Sequence, residues 1–92
     1  AFYDKIARIL PGNVNAKIFK SSWKVPQVFQ LVQMKGNVSD RDMYHTLNMG
    51  IGMVLVVDRK SVQAIQSKLS ELKIKNWVIG EIIDGNKEVE II

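Results

Sequence analysis

Asp42-Met43-Tyr44-His45-Thr46-Leu47-Asn48-Met49-Gly50-Ile51-Gly52-Met53-Val54-Leu55-Val56-Val57 is the stretch on which the architecture turns. Just before it, Ser39-Asp40-Arg41-Asp42 reads as a helix start. Serine accepts a hydrogen bond from a first-turn N–H, and the acidic side chains sit where the helix dipole favours them. Met43 and Leu47 lie one turn apart, so the helix is expected to reach about Leu47. Asn48 to Gly52 then breaks it, and residues 53–57 form an uninterrupted apolar run rich in β-branched side chains. A run this short predicts a central strand covered on both faces.

Working outward, residues 61–73 carry Val62, Ile65, Leu69 and Leu72 at helical spacing, which predicts a helix burying that face. Residues 76–83 read as a strand, Asp84-Gly85-Asn86 as a tight turn, and residues 88–92 as its antiparallel return. Upstream, Pro26 suits a first helical turn, Val28, Leu31 and Val32 make one apolar stripe, and Gly36 offers a stop. Residues 14–19 alternate well enough for a short strand. Residues 2–10 place Phe2, Ile6 and Ile9/Leu10 at helical spacing before Pro11-Gly12-Asn13 halts them. The resulting order is helix, strand, helix, helix, strand, helix, strand, strand. That predicts an α+β fold, a small mixed β-sheet with helices packed on one face, in a single domain spanning 1–92.

Ninety-two residues with 47% apolar composition suit one small globular domain rather than a disordered chain. Thirteen basic against nine acidic residues give a formal charge of +4. The lysines are scattered rather than blocked, which favours a solvated surface over a nucleic-acid footprint. With no cysteine, disulfides, thiolate metal sites and cysteine nucleophiles are excluded. No apolar run is long enough for a membrane span and no signal-peptide pattern opens the chain, so a soluble chain without a membrane partner is expected, unless a lost upstream region says otherwise. Ala1 in place of a methionine, followed at once by apolar sequence, suggests a piece of something longer.

Few residues offer chemistry. Gly50 and Gly52 can adopt positive φ or admit a close neighbour, and backbone N–H groups in such a bend can cradle phosphate oxygens. From spacing alone, a plain tight bend remains the favoured reading, because a lone Gly-x-Gly is weak evidence. Asn48 is either a ligand contact or a helix-end cap, and Thr46 either a ligand hydroxyl or a surface residue. His45, the single histidine, makes a poor metal site; it is either a general base near neutral pH or, as favoured, a surface or boundary residue. Ser21 and Ser22 lack a nucleophile elbow, Trp23 and Trp77 suit core packing, and Arg8 is a phosphate clamp or a surface charge. Asp40 and Asp42 look like first-turn charges, not a catalytic pair. Periodicity and spacing stop there and give no reaction.

The string from Arg41 to Val54 closely resembles a segment of aminoimidazole ribonucleotide synthetases, in which an acidic residue and Met precede Thr-Phe-Asn-Met-Gly-Ile-Gly-Met and a strand. Ala7-Arg8-Ile9-Leu10-Pro11 is similar to that family's Pro-Arg-x-Leu-Pro. Trp23, Pro26 and Phe29 match its helix start, and Trp77 to Ile82 its terminal strand. Leu47 stands for the usual phenylalanine and Ala7 for the usual proline. The likeness covers essentially the whole chain. The family's upstream His-x-Thr-Gly-Gly-Gly loop and N-terminal domain have no counterpart in these residues.

The resemblance implies part of a ligase that closes the imidazole ring of formylglycinamidine ribonucleotide in purine biosynthesis, consuming ATP with magnesium. It implies that ATP and magnesium bind mainly outside these residues, that the N-terminal domain is a partner and builds a homodimer, and that the isolated chain is inactive. Asn48, Gly50 and Gly52, with Thr46 and Arg8, would be substrate-side contacts; no catalytic residue is assigned, and no metal ligand. Two other readings stay open: a small basic RNA-binding module, against which the missing aromatic platform counts, and a regulatory domain that self-associates through open sheet edges.

Overall fold

Val14, Ala16 and Ile18 point to one side of strand β1 (Val14–Ile18), as a pleated strand requires, and Ala16 and Ile18 are buried. The computed structural model describes residues 1–92, and β1 is the centre of its only sheet. Against that buried face packs the N-terminal helix, a π-helical turn at Phe2–Ile6 running into α1 (Ala7–Ile9). Phe2, Ile6 and Leu10 are buried as their spacing predicts, whereas Ile9 is exposed. After a 3-10 turn at Lys20–Ser22 come α2 (Gln27–Gly36) and α3 (Asp40–Thr46). A second 3-10 turn at Arg59–Ser61 leads into α4 (Val62–Glu71), followed by β2 (Gly80–Asp84) and β3 (Val89–Ile91). The fold is α+β with a small mixed sheet, as expected. No helix is long and apolar enough to cross a membrane.

The core is aromatic. Phe2 stacks on Trp23 with ring centroids 5.7 Å apart, and Tyr44 meets both edge-on at 5.6 and 6.4 Å. Such offset and edge contacts add to the energy of simple burial. Met43, 1% exposed, and Met49 complete the cluster from α3 and the bend after it. The α3 start behaves as its sequence predicts: Ser39 Oγ accepts from the Asp42 N–H at 3.2 Å. Between α2 and α3, the left-handed residue is Asn37 (φ 52°) rather than Gly36, which ends α2 as its last helical residue. Asparagine tolerates that conformation because its side chain is short and polar.

The sheet departs from a hairpin. Strand order is β2-β1-β3: β1 pairs antiparallel with β2 (Val14↔Asp84 to Ile18↔Gly80) and parallel with β3 (Ala16↔Val89 to Ile18↔Ile91). Residues 88–92 are therefore not the antiparallel partner of the strand before them, because β1 lies between the two. The physical reason sits at Asn15. Its Oδ1 accepts the N–H groups of Asn86 and Glu88, both at 2.8 Å, while Gly85 N–H and Lys87 N–H donate to the Asn13 and Val14 carbonyls. The turn residues thus bond to the start of β1 instead of closing on each other. Asn15→Ala removes an acceptor shared by two backbone donors. It is expected to cost about 1–2 kcal/mol, read as a lower urea midpoint, with Asn15→Asp losing less because it keeps the acceptor.

Three further expectations are corrected. Residues 53–57 belong to no sheet, and Met53, Leu55, Val56 and Val57 are all exposed. The strand expected from residue 76 begins at Gly80, leaving Trp77 43% exposed instead of in the core. The apolar stripes of α2 and α4 meet little: Val28, Leu31 and Val32 are exposed, Val62, Ile65 and Leu69 are half-buried, and Leu72 is exposed. Each error has one cause. Amphipathic patterning reports which face wants cover, not whether these 92 residues supply it.

Candidate functional site

The bend after α3 is built by its own asparagine. Asn48 Oδ1 accepts the Gly50 N–H at 2.9 Å and the Asn48 carbonyl accepts the Ile51 N–H at 2.9 Å. Met49 (φ 53°) and Gly50 (φ 94°) both lie in the left-handed region. Met49 drives its side chain into the core, and the buried Trp23 Nε1–H donates to the Met49 carbonyl at 3.0 Å. Gly50 lies so close to Pro26 that a Cβ there would stand 2.5 Å from Pro26 Cδ. The bend is thus held from three sides while Asn48, Gly50 and Gly52 remain exposed.

This geometry sorts the main-chain donors. Gly50 and Ile51 N–H are already engaged by Asn48, whereas the N–H groups of Met49 and Gly52 have no partner in the chain. Asn48 keeps its amide Nδ2 free, because only its oxygen is engaged. Gly50 and Gly52 line an apolar cavity of about 640 Å³ beside the bend, walled also by Ile6, Ala16 and Ile18. Thr46 is the last residue of α3, exposed and without a side-chain hydrogen bond, and it does not line the cavity. Arg8 is exposed on α1, forms no hydrogen bond or ion pair, and does not line it either. The structure therefore joins Asn48, Gly50 and Gly52 in one unit and leaves Arg8 apart from it.

The charged groups near α3 are structural. Asp40 takes a hydrogen bond from Gln33 Nε2 at 2.8 Å and an ion pair from Lys20 Nζ at 3.1 Å. The Gln33 bond first, and then Lys20, hold its carboxyl below the ordinary aspartate value. A lowered carboxyl adds stability above its unfolded pKa that is lost as pH falls through the folded one. Asp40 is 60% exposed, so screening keeps the contribution under about 1 kcal/mol. Asp40→Asn is expected to flatten the loss of stability below pH 4 slightly, measured by denaturation across pH. Burial, with Asp40 nearby, pushes the Tyr44 phenol upward, so it stays protonated at neutral pH. His45 lies exposed with Nε2 3.5 Å from Asp4 Oδ2, the surface alternative of the two positions its sequence context suggests.

Trp23 is the site residue that sequence reading placed only in the core. The signal was present: a buried indole needs a partner for its N–H. Which carbonyl it would find depends on a contact 26 residues away.

Comparison with known proteins now bears on this bend. Residues 2–92 match the family described as "AIR synthase related protein, C-terminal domain". The chain belongs to that family. It is 44% identical over 88 residues to the "Phosphoribosylformylglycinamidine cyclo-ligase" of Pseudothermotoga lettingae, covering 96% of this chain and 26% of the relative. It is 48% identical over 84 residues to the cyclo-ligase of Thermoanaerobacter sp., covering 91% and 25%. The Caldicellulosiruptor bescii protein of the same name is 43% identical over 88 residues, covering 96% and 26%. The chain spans about a quarter of the length of these relatives. All five candidate residues fall inside the stretch matched to the AIR synthase related C-terminal domain, and the bend is a feature of that domain in this chain.

Proposed function

We propose that this chain forms part of a phosphoribosylformylglycinamidine cyclo-ligase, a ligase of purine biosynthesis, and that it contributes the substrate side of the cleft. The observation that carries this is the match of nearly the whole chain to the AIR synthase related C-terminal domain together with its identity to proteins named cyclo-ligase. In this reading the substrate is formylglycinamidine ribonucleotide, the reaction consumes ATP with magnesium, and an N-terminal domain of the same enzyme supplies most of the nucleotide site and the homodimer contact. The enzyme is cytoplasmic, and the 92 residues alone are inactive.

The donors left free at the bend support the substrate role. Asn48 Nδ2 and Gly52 N–H are free hydrogen-bond donors on an exposed bend, which suits oxygen-rich ligand groups such as phosphate. Thr46, two residues before Asn48, is a further hydroxyl for the same ligand, and Arg8 joins only if the rest of the enzyme brings ligand to it. No three His, Cys, Asp or Glu side chains converge in this chain, and in this reading magnesium is held mainly by the rest of the enzyme.

Asn48→Asp in the intact enzyme separates binding from folding. The aspartate oxygen still accepts the Gly50 N–H, so the bend survives. The free amide donor becomes an anion, which repels phosphate. KM for formylglycinamidine ribonucleotide is expected to rise about 10-fold, corresponding to about 1.4 kcal/mol, with the melting temperature unchanged. An unaltered KM removes Asn48 from the site. A fusion of the upstream three quarters of the Thermoanaerobacter relative to this chain should make ADP only when formylglycinamidine ribonucleotide is present; a folded, inactive fusion would sink the cyclo-ligase reading.

A further inference from the structure

One peptide group of the bend is gripped at both ends. The Met49 carbonyl accepts the Trp23 Nε1–H at 3.0 Å, and the Gly50 N–H of the same planar unit donates to Asn48 Oδ1 at 2.9 Å. With the Ile51 N–H closing on the Asn48 carbonyl, that peptide is the centre of a four-residue turn from Asn48 to Ile51.

The turn is not the one its sequence favours. Met-Gly at the central positions suits a type II turn, in which only the glycine has positive φ. Here Met49 (φ 53°) and Gly50 (φ 94°) both do, as in a type I′ turn. A left-handed residue with a Cβ is strained, and such strain persists only where the surroundings impose it. Two contacts impose it on Met49. Its side chain is 3% exposed in the core, and its carbonyl is held by the indole. The indole cannot turn away: Trp23 is 6% exposed, stacked on Phe2 at 5.7 Å and met edge-on by Tyr44 at 6.4 Å. Without that N–H the carbonyl would be left buried and unpaired, and the turn would gain by rotating it toward water. Because the peptide is planar, the Gly50 N–H would leave Asn48 Oδ1 in the same motion.

We infer that Trp23 is a positioning residue for substrate binding. Its N–H fixes the Met49–Gly50 peptide, the peptide anchors Asn48 Oδ1, and the anchored side chain presents Nδ2 to a phosphate oxygen of the substrate. Trp23 itself is too deeply buried to touch ligand and acts only through the bend. The inference rests on the reading of the bend as the substrate side of a cyclo-ligase.

Trp23→Phe tests it, because phenylalanine keeps an aromatic ring beside Phe2 and Tyr44 but has no N–H to donate. In the intact enzyme the KM for formylglycinamidine ribonucleotide should rise about 10-fold, with kcat and the KM for ATP unchanged. Combined with Asn48→Asp, the rise should fall short of the product of the two single effects, since both act on one side chain. In the 92-residue chain, exchange of the Gly50 N–H should quicken about 10-fold relative to the Ala16 N–H, which is bonded to the Glu88 carbonyl in the sheet. Replacing the Trp23 indole by benzothiophene keeps the ring outline and removes only the donor; it should give the same results if Trp23→Phe fails to fold. An unchanged KM, two effects that multiply in full, or amides that quicken together would each make Trp23 a packing residue only and overturn the proposal. The failures are distinguishable. A silent Asn48→Asp removes the bend from the substrate and takes the proposal with it, whereas an effective Asn48→Asp beside a silent Trp23→Phe sinks the positioning role alone.

Discussion

Gly80→Ala is expected to remove more than half of the domain's stability. Gly80 pairs with Ile18 at the end of β2, and a Cβ built there collides with the Lys17 carbonyl oxygen and carbon and lies 3.1 Å from Ile18 Cα. All three atoms are backbone, so no side chain can swing away. Lys17 belongs to the central strand and also stands opposite Glu90 of β3, so moving it disturbs both ladders. Overpacking of this kind costs about 3 kcal/mol, and a domain of this size holds on the order of 5 kcal/mol in all. With only nine buried residues, the core has little reserve to offset the loss. The expected result in a urea titration is a broad transition at much lower denaturant than the parent. Gly12→Ala is the control: nothing lies within 4 Å of its Cβ position, and its midpoint should hold or rise slightly as the unfolded chain loses freedom. Equal midpoints for the two variants would mean that β1 and β2 do not pair in this register.

What the sequence made legible was local. The Ser39 cap with Asp40 and Asp42 behind it appears as expected, because capping depends on neighbours three residues away. Strand β1 and helix α4 fall within two residues of their expected bounds for the same reason. The Asp84-Gly85-Asn86 turn is real, but its N–H groups bond to Asn13 and Asn15, some seventy residues earlier, and that decides the topology. No pattern confined to residues 84–92 carries this information. The 53–57 run shows the opposite case. Its composition predicted a strand covered on two faces, yet in this chain it forms no strand and only Val54 of the five packs against the core.

The candidate site divides along the same line. Asn48, Gly50 and Gly52 are adjacent in sequence, so their grouping needed no fold. That the Asn48 oxygen would take the Gly50 N–H, and so shift the available donors to Asn48 Nδ2 and Gly52, depends on positive φ at two consecutive residues. Arg8 was a candidate as a possible phosphate clamp and through family likeness, and the structure brings it no nearer to the bend by any bond or shared cavity wall. Trp23 and Pro26 support the bend from the α2 side. Family resemblance had marked both, as the start of a helix.

Gly50→Ala tests that support directly. Two penalties act together: an alanine held at φ 94° is strained, and its Cβ would stand 2.5 Å from Pro26 Cδ and 2.9 Å from Cγ. The left-handed conformation costs roughly 1–2 kcal/mol for a residue with a Cβ, and the clash adds to it because a proline ring has no rotamer to retreat into. The bend cannot simply relax. Asn48 holds the Gly50 N–H, Trp23 holds the Met49 carbonyl, and Met49 is 3% exposed in the core. A total loss of about 3 kcal/mol is expected. A double-mutant cycle with Pro26→Ala divides the terms: once the ring is gone, Gly50→Ala should cost only the conformational part. Full additivity between the two substitutions would mean that Gly50 does not rest on Pro26, and that the bend is held by Asn48 and Trp23 alone.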